Sequence, residues 1–138
     1  MVDPERLTRV LTRVRRDAAR IRTIASTHDL ASDETALDAV KYGFVTAIEG
    51  CVRAAAHVGS SEGLGVPDTN AQTIALLAEH GIVPAAAAAP VARAVGFGNL
   101  LVHEYADVDD DVVRANVALL PDLDAFVAAV AGWAVGQG

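Results

Sequence analysis

An all-α bundle of about five helices is the fold this sequence predicts. Three observations carry that expectation: apolar residues recur at three- and four-residue steps along most of the chain, no stretch shows a credible strand pattern, and Asp, Pro and Gly stand where helices start and stop. With 138 residues, the chain has the size of a single domain, 1–138.

The first helix runs from Pro4 to about Thr27, with Leu7, Val10, Leu11, Val14, Ala18, Ile21 and Ile24 on one face. Asp3 supplies its cap and Pro4 its first helical position. A second, long helix starts near Ser32 or Asp33 and carries Leu37, Val40, Phe44, Ile48, Cys51, Val52 and Ala55, with Gly59 as its expected stop. The stretch from Gly59 to Asp68 has the Gly, Ser and Pro density of a loop. A short helix follows from about Asn70 to His80 and ends at Gly81. Pro84 can open the next helix, but Pro90 removes a hydrogen bond and clashes with the preceding turn, so a kink or a short first turn is expected before a helix from Pro90 to about Val102. Asp109 caps the last helix, and Asp110 and Asp111 favour its positive end. That helix carries Val112 to Trp133 and bends at Pro121.

Composition narrows the function. Charged or polar residues interrupt every apolar stretch before the roughly 18 unbroken residues of a membrane span, so no span is expected. The N-terminus lacks the apolar core of a secretory signal, and a lone Cys51 builds no intramolecular disulfide; a reduced, cytoplasmic setting is the expectation. The net charge of −7 is unevenly spread. Residues 1–28 hold seven arginines against Asp3, Glu5 and Asp17, for +4, which leaves −11 on the other 110 residues. An arginine-bearing first helix can attract nucleic-acid phosphate, pair with the acidic remainder, or simply be a solvated face.

No phosphate-binding loop, HExxH or paired Cys/His spacing for zinc is present. Cys51, on an apolar helix face, reads as a small core residue rather than a nucleophile. His28 and His80 fall at helix ends as capping or solvated side chains, and His57 reads as structural or surface. The segment from Gly96 to Tyr105, GFGNLLVHEY, stands apart because it gathers an amide, an imidazole and a phenol at one helix end. Asn99 and His103 are one turn apart and share a face. Imidazole exchanges protons near neutral pH, as cleavage of RNA by its own 2′-hydroxyl requires. On its residues alone, a single His near a helix end is more often structural.

The segment resembles the HEPN superfamily, and more closely the HepT-like toxins of HepT–MntA toxin–antitoxin systems. The resemblance spans roughly residues 37–130 and includes YGFVTAIEGCVRAAA (42–56), EGLGVP (62–67), LLAEHGIVP (76–84) and Phe97 to Tyr105 followed by Val108 and Asp109. The family's signature is Arg, four residues, His, one residue, Tyr, usually with Asn after the Arg. His103, Tyr105 and Asn99 fall on its His, Tyr and Asn, whereas Gly98 stands where the Arg should be.

The resemblance implies a HEPN-type bundle, antiparallel and up-down, that forms a homodimer with the motifs of both subunits in one cleft. It implies the toxin of a type VII-like system, an endoribonuclease that needs no metal or other cofactor, with His103 as acid/base and Asn99 as polar support for the RNA. Neutralisation would come from an MntA-like nucleotidyltransferase that adds AMP to Tyr105, placing charge and bulk where RNA phosphate must sit. Gly98 lacks the bidentate donor that stabilises charge on a scissile phosphate, so catalysis is expected to be impaired. Arg93 lies about 140° round the helix from position 98 at roughly 100° per residue and points elsewhere in its own subunit; Arg93, Arg53 and the first-helix arginines are left as remote substitutes across a dimer cleft. The alternative is a non-catalytic HEPN module that binds its nucleotidyltransferase partner or RNA.

Overall fold

The computed structural model describes residues 1–137 as five helices without a strand among them. The helices are α1 (Pro4–Thr27), α2 (Glu34–Ser61), α3 (Asn70–Glu79), α4 (Ala85–His103) and a bent fifth made of α5 (Asp110–Ala115), a 3₁₀ turn (Asn116–Leu119) and α6 (Leu120–Val135). A further 3₁₀ turn, Tyr105–Asp107, joins α4 to α5.

Helix starts follow the capping residues. The Asp3 carboxylate accepts from the amides of Glu5 and Arg6, Asp33 from Ala36, Thr69 from Gln72 and Asp109 from Asp111, which satisfies amides that the first turn leaves unpaired. The second helix does not stop at Gly59. It continues to Ser61, and Gly63, at φ +67°, ends it. Gly63 donates to the Ser60 carbonyl and Leu64 to that of Gly59, the paired closure that a left-handed residue makes possible. Gly81, at φ +70°, closes α3 in the same way, as expected.

The fourth helix also departs from expectation, since it begins at Ala85 rather than Pro90. Pro90 lies only in the second turn, and the carbonyl it leaves without a donor belongs to Ala86, on an exposed residue where water can replace the bond. Pro121 sits at the start of α6, after the 3₁₀ turn that makes the expected bend.

The core draws on every one of the five helices. Phe44, Phe126, Leu7, Ile21, Ile74, Leu77, Leu101 and Leu123 are among its fully buried side chains. Phe44 on α2 meets Phe97 on α4 edge to face, with ring centres 5.4 Å apart and planes at 76°. Two glycines bring α1 and α2 together: a Cβ on Gly43 would lie 2.8 Å from Ile21 Cγ1, and one on Gly50 only 2.6 Å from Val14 Cγ2. The Val14 side chain is buried and branched at Cβ, so it cannot swing away. Gly50→Val is therefore expected to cost about 1–3 kcal/mol, the overpacking range, read as a lower midpoint in thermal unfolding; an unchanged midpoint would disprove the close approach.

Ala85–His103 and Asp110–Val135 are long and apolar enough to cross a membrane by length and composition. Polar residues still interrupt both, so what they reach is a high average hydropathy and not an unbroken apolar run. The averages are high because both are rich in Ala and Val; Val91, Leu101, Phe126 and Val130 of these helices are spent in the bundle core.

Candidate functional site

The last two turns of α4 carry Gly98, Asn99 and His103 of the motif, and they lie where α4 packs on α2. Gly98 is buried against Ile48 of α2, and a Cβ added to it would meet Ile48 Cγ2 at 3.2 Å, Cδ1 at 3.5 Å and Cβ at 3.6 Å. Beside this contact opens a groove of about 460 Å³ lined by Val45, Ile48, Glu49, Val52, Arg53, Asn70, Val95, Gly98, Asn99 and Val102. Its walls are apolar and its polar groups few: a carboxylate, a guanidinium and two amides. Asn99 is exposed on its rim, and His103, the last residue of α4, is exposed one turn further on. Among the described residues neither side chain is tied by a hydrogen bond or an ion pair, so both are free to meet a ligand.

Arg93 is exposed and does not line this groove, as its angular position implied. Arg53 does line it, within the same subunit, although no spacing in either helix brings residue 53 beside residue 98. The α2 face that carries Arg53 also borders two grooves against α1. One, of about 470 Å³, is lined by Arg6, Arg53, His57 and Ser60. The other is lined by Arg9, Arg13, Thr46, Glu49 and Arg53. A single guanidinium thus stands at the junction of the motif groove and the arginines of α1. All seven arginines of α1 are exposed, and among the described residues only Arg22 pairs with another helix, meeting Asp124 of α6 at 2.5 Å.

Tyr105 does not join the groove. It leaves α4 in the 3₁₀ turn and folds back over the first turns of α2, where its hydroxyl donates to Asp38 Oδ1 at 3.2 Å. The Lys41 ammonium lies 5.0 Å from the centre of its ring and 3.4 Å from Asp110 Oδ1. Lys41 is buried, unusual for lysine, and the Asp110 carboxylate together with the ring face compensates its charge. Desolvation, then the Asp38 charge, then the hydrogen bond to Asp38 raise the Tyr105 phenol above its ordinary pKa. It stays a neutral donor at physiological pH. Asp38, Lys41 and Asp110 were not singled out from the sequence, and no local spacing points to them.

The remaining candidates are structural. Burial pushes the Cys51 thiol up to about 12, which leaves no thiolate for nucleophilic chemistry. His57 Nε2 accepts from the Asp3 amide at 3.0 Å and so ties α2 to the start of α1. His28 and His80 are the residues that close α1 and α3. Among the described residues no group of His, Cys, Asp and Glu is placed to hold a metal ion.

Residues 14–130 match the family described as ribonuclease HepT-like. The mRNA nuclease HepT of Shewanella oneidensis is 27% identical over 81 residues, which cover 59% of this chain and 61% of that protein. The match therefore spans less than two thirds of that relative. Among solved structures, the tri-AMPylated HEPN toxin of Shewanella oneidensis in complex with its MNT antitoxin superposes with a TM-score of 0.82 at 23% identity, covering 90% of this chain and 95% of the toxin. YutE, a cytosolic Bacillus subtilis protein of unknown function, reaches 0.86 at 15% identity and covers 99% and 93%. At such identities the structural likeness is one of fold.

Proposed function

The chain belongs to the ribonuclease HepT-like family, and we propose that it is the toxin of a type VII-like toxin–antitoxin pair. In this reading it is a cytoplasmic, metal-independent endoribonuclease scaffold that works as a homodimer of antiparallel, up-down bundles. An MntA-like nucleotidyltransferase neutralises it by adding AMP to Tyr105, and Gly98 leaves its catalysis impaired. The observation that carries the reading is the meeting of Gly98 and Asn99 with Arg53 in one groove, with His103 a turn away on the same face of α4.

The chemistry follows from these groups. His103 takes the proton of the attacking 2′-hydroxyl and supplies one to the leaving oxygen, Asn99 hydrogen-bonds the RNA, and position 98 is where a guanidinium would face the phosphate. Gly98 offers no donor there. Support for the substrate comes from the Shewanella relative, an mRNA nuclease, and support for neutralisation from the tri-AMPylated HEPN toxin held by an MNT antitoxin. Tyr105 is 41% exposed and accessible to a partner. An AMP on its hydroxyl would add negative charge and bulk to the segment that follows His103, repelling RNA phosphate. The reading is tested by RNA cleavage without added metal in Gly98→Arg protein, with His103→Ala in the same chain as control.

RNA is expected to enter along the Arg6, Arg9, Arg13 and Arg53 grooves, since they adjoin the arginine-bearing α1 while residues 29–138 carry a net −11. Binding of a single-stranded oligoribonucleotide should therefore weaken steeply with salt. Arg53→Ala should reduce the log–log slope by about 0.7 if it removes one phosphate contact. Fluorescence anisotropy across a salt series reads this, and a salt-independent affinity would overturn the assignment of that path.

A further inference from the structure

The nucleotidyltransferase brings ATP to Tyr105, but a phenol is a poor nucleophile while it keeps its proton. The Tyr105 hydroxyl already donates that proton to the Asp38 carboxylate at 3.2 Å, and the Asp38 backbone carbonyl lies 3.5 Å away. The two partners are 67 positions apart in the chain, so the contact is a product of the fold rather than of a local turn. The ring is held from beneath by Lys41, which is itself buried and anchored to Asp110 on α5. These three charged groups, from α2 and α5, make a seat that fixes the hydroxyl while leaving Tyr105 open to solvent on its other side.

We propose that Asp38 is a catalytic residue for modification of this chain, the base that accepts the Tyr105 proton as AMP is transferred, and that Lys41, pinned by Asp110, is the positioning residue that presents the phenol. The inference rests on the reading that Tyr105 is the AMP acceptor. In the transfer, Tyr105 Oη attacks the α-phosphorus of ATP and forms the Oη–P bond. The bond from that phosphorus to the bridging oxygen breaks, and pyrophosphate leaves with the electron pair. The phenolic proton passes to the Asp38 carboxylate and then to solvent. The toxin thereby supplies part of the chemistry of its own neutralisation, and its partner supplies the nucleotide.

The test uses the full chain with its cognate MNT-type nucleotidyltransferase and ATP labelled at the α-phosphate, and the label on Tyr105 is followed with time. Asp38→Asn keeps a hydrogen-bond acceptor but loses the base, and its labelling rate is expected to fall about 100-fold, within the range general bases contribute. Asp38→Glu should recover part of the loss, and Lys41→Met should lower the maximal rate without raising the KM for ATP. A second readout needs no partner: in a Tyr42→Phe background, ultraviolet titration of Tyr105 should move to lower pH in Asp38→Asn, because the neighbouring negative charge and its hydrogen bond are weakened. Equal labelling of the unaltered and Asp38→Asn chains would overturn the assignment of the base, and an unmoved titration would overturn the contact. No label on the unaltered chain would remove the neutralisation reading itself, and this inference with it. Circular dichroism melts confirm that each variant is folded.

Discussion

Gly98→Arg is expected to convert a chain with little or no nuclease activity into one that cleaves labelled RNA without added metal at least about 100-fold faster. The magnitude is set by what one charge-stabilising donor contributes at a developing oxyanion, roughly 10²–10³ in rate or about 2.7–4 kcal/mol. A guanidinium does more than a neutral donor because it is planar, always charged and binds two phosphate oxygens at once. The gain should vanish in Gly98→Arg with His103→Ala, since an arginine at position 98 would stabilise charge but move no proton.

The new side chain has to be accommodated. Its Cβ would lie 3.2 Å from Ile48 Cγ2, tighter than ordinary packing, so Ile48 must give by a few tenths of an ångström. The cost falls within the overpacking range of about 1–3 kcal/mol and should appear as a lower unfolding temperature in Gly98→Arg. Adding Ile48→Ala removes Cγ2 and Cδ1 from the contact and should couple favourably to the arginine, the pair being more stable than the two single losses sum to. An arginine variant that folds, binds RNA and does not cut would mean that the chain is a non-catalytic module that binds its nucleotidyltransferase partner or RNA.

What could be read from the sequence was what depends on near neighbours. Asp3, Asp33 and Asp109 cap helices because a carboxylate reaches amides two or three residues ahead, and Gly81 ends α3 because a left-handed residue closes the turn; each is a local event. Gly59 and Gly63 look alike in sequence. Only the fold distinguishes them, by burying Gly59 within α2 and giving Gly63 the positive φ. Pro90 misled for a related reason: its cost depends on whether the orphaned carbonyl reaches water, and at Ala86 it can. Asn99, His103 and Tyr105 were legible as a motif, but their separation was not. Asn99 faces a groove shared with Arg53, forty-six positions earlier, while Tyr105 turns to Asp38 and Lys41. Contacts across such distances follow from how α2 and α4 cross, which no periodicity in either helix records.

Phe44 packs against α4 at that crossing, and Phe44→Ala should be among the most damaging single substitutions. The ring is fully buried and meets Phe97 edge to face. Truncating a buried Phe to Ala costs about 3–5 kcal/mol, and for a domain of this size that lowers the unfolding midpoint by roughly 10 °C or more. Phe44→Leu, which refills much of the volume, should lose considerably less. The consequence reaches the site because Phe97 is the residue before Gly98. Without its partner, Phe97 no longer fixes the rotation of α4, and an arginine at position 98 loses its aim at the phosphate. In the Gly98→Arg background, Phe44→Ala should therefore reduce RNA cleavage even at temperatures where the protein is fully folded. Phe126→Ala is the control: its ring is as deeply buried but belongs to α6, so its stability loss should be comparable and its effect on cleavage by folded protein small. If both variants lost cleavage only in proportion to unfolding, the Phe44–Phe97 contact would be a matter of stability alone, and the aim of α4 would be set elsewhere.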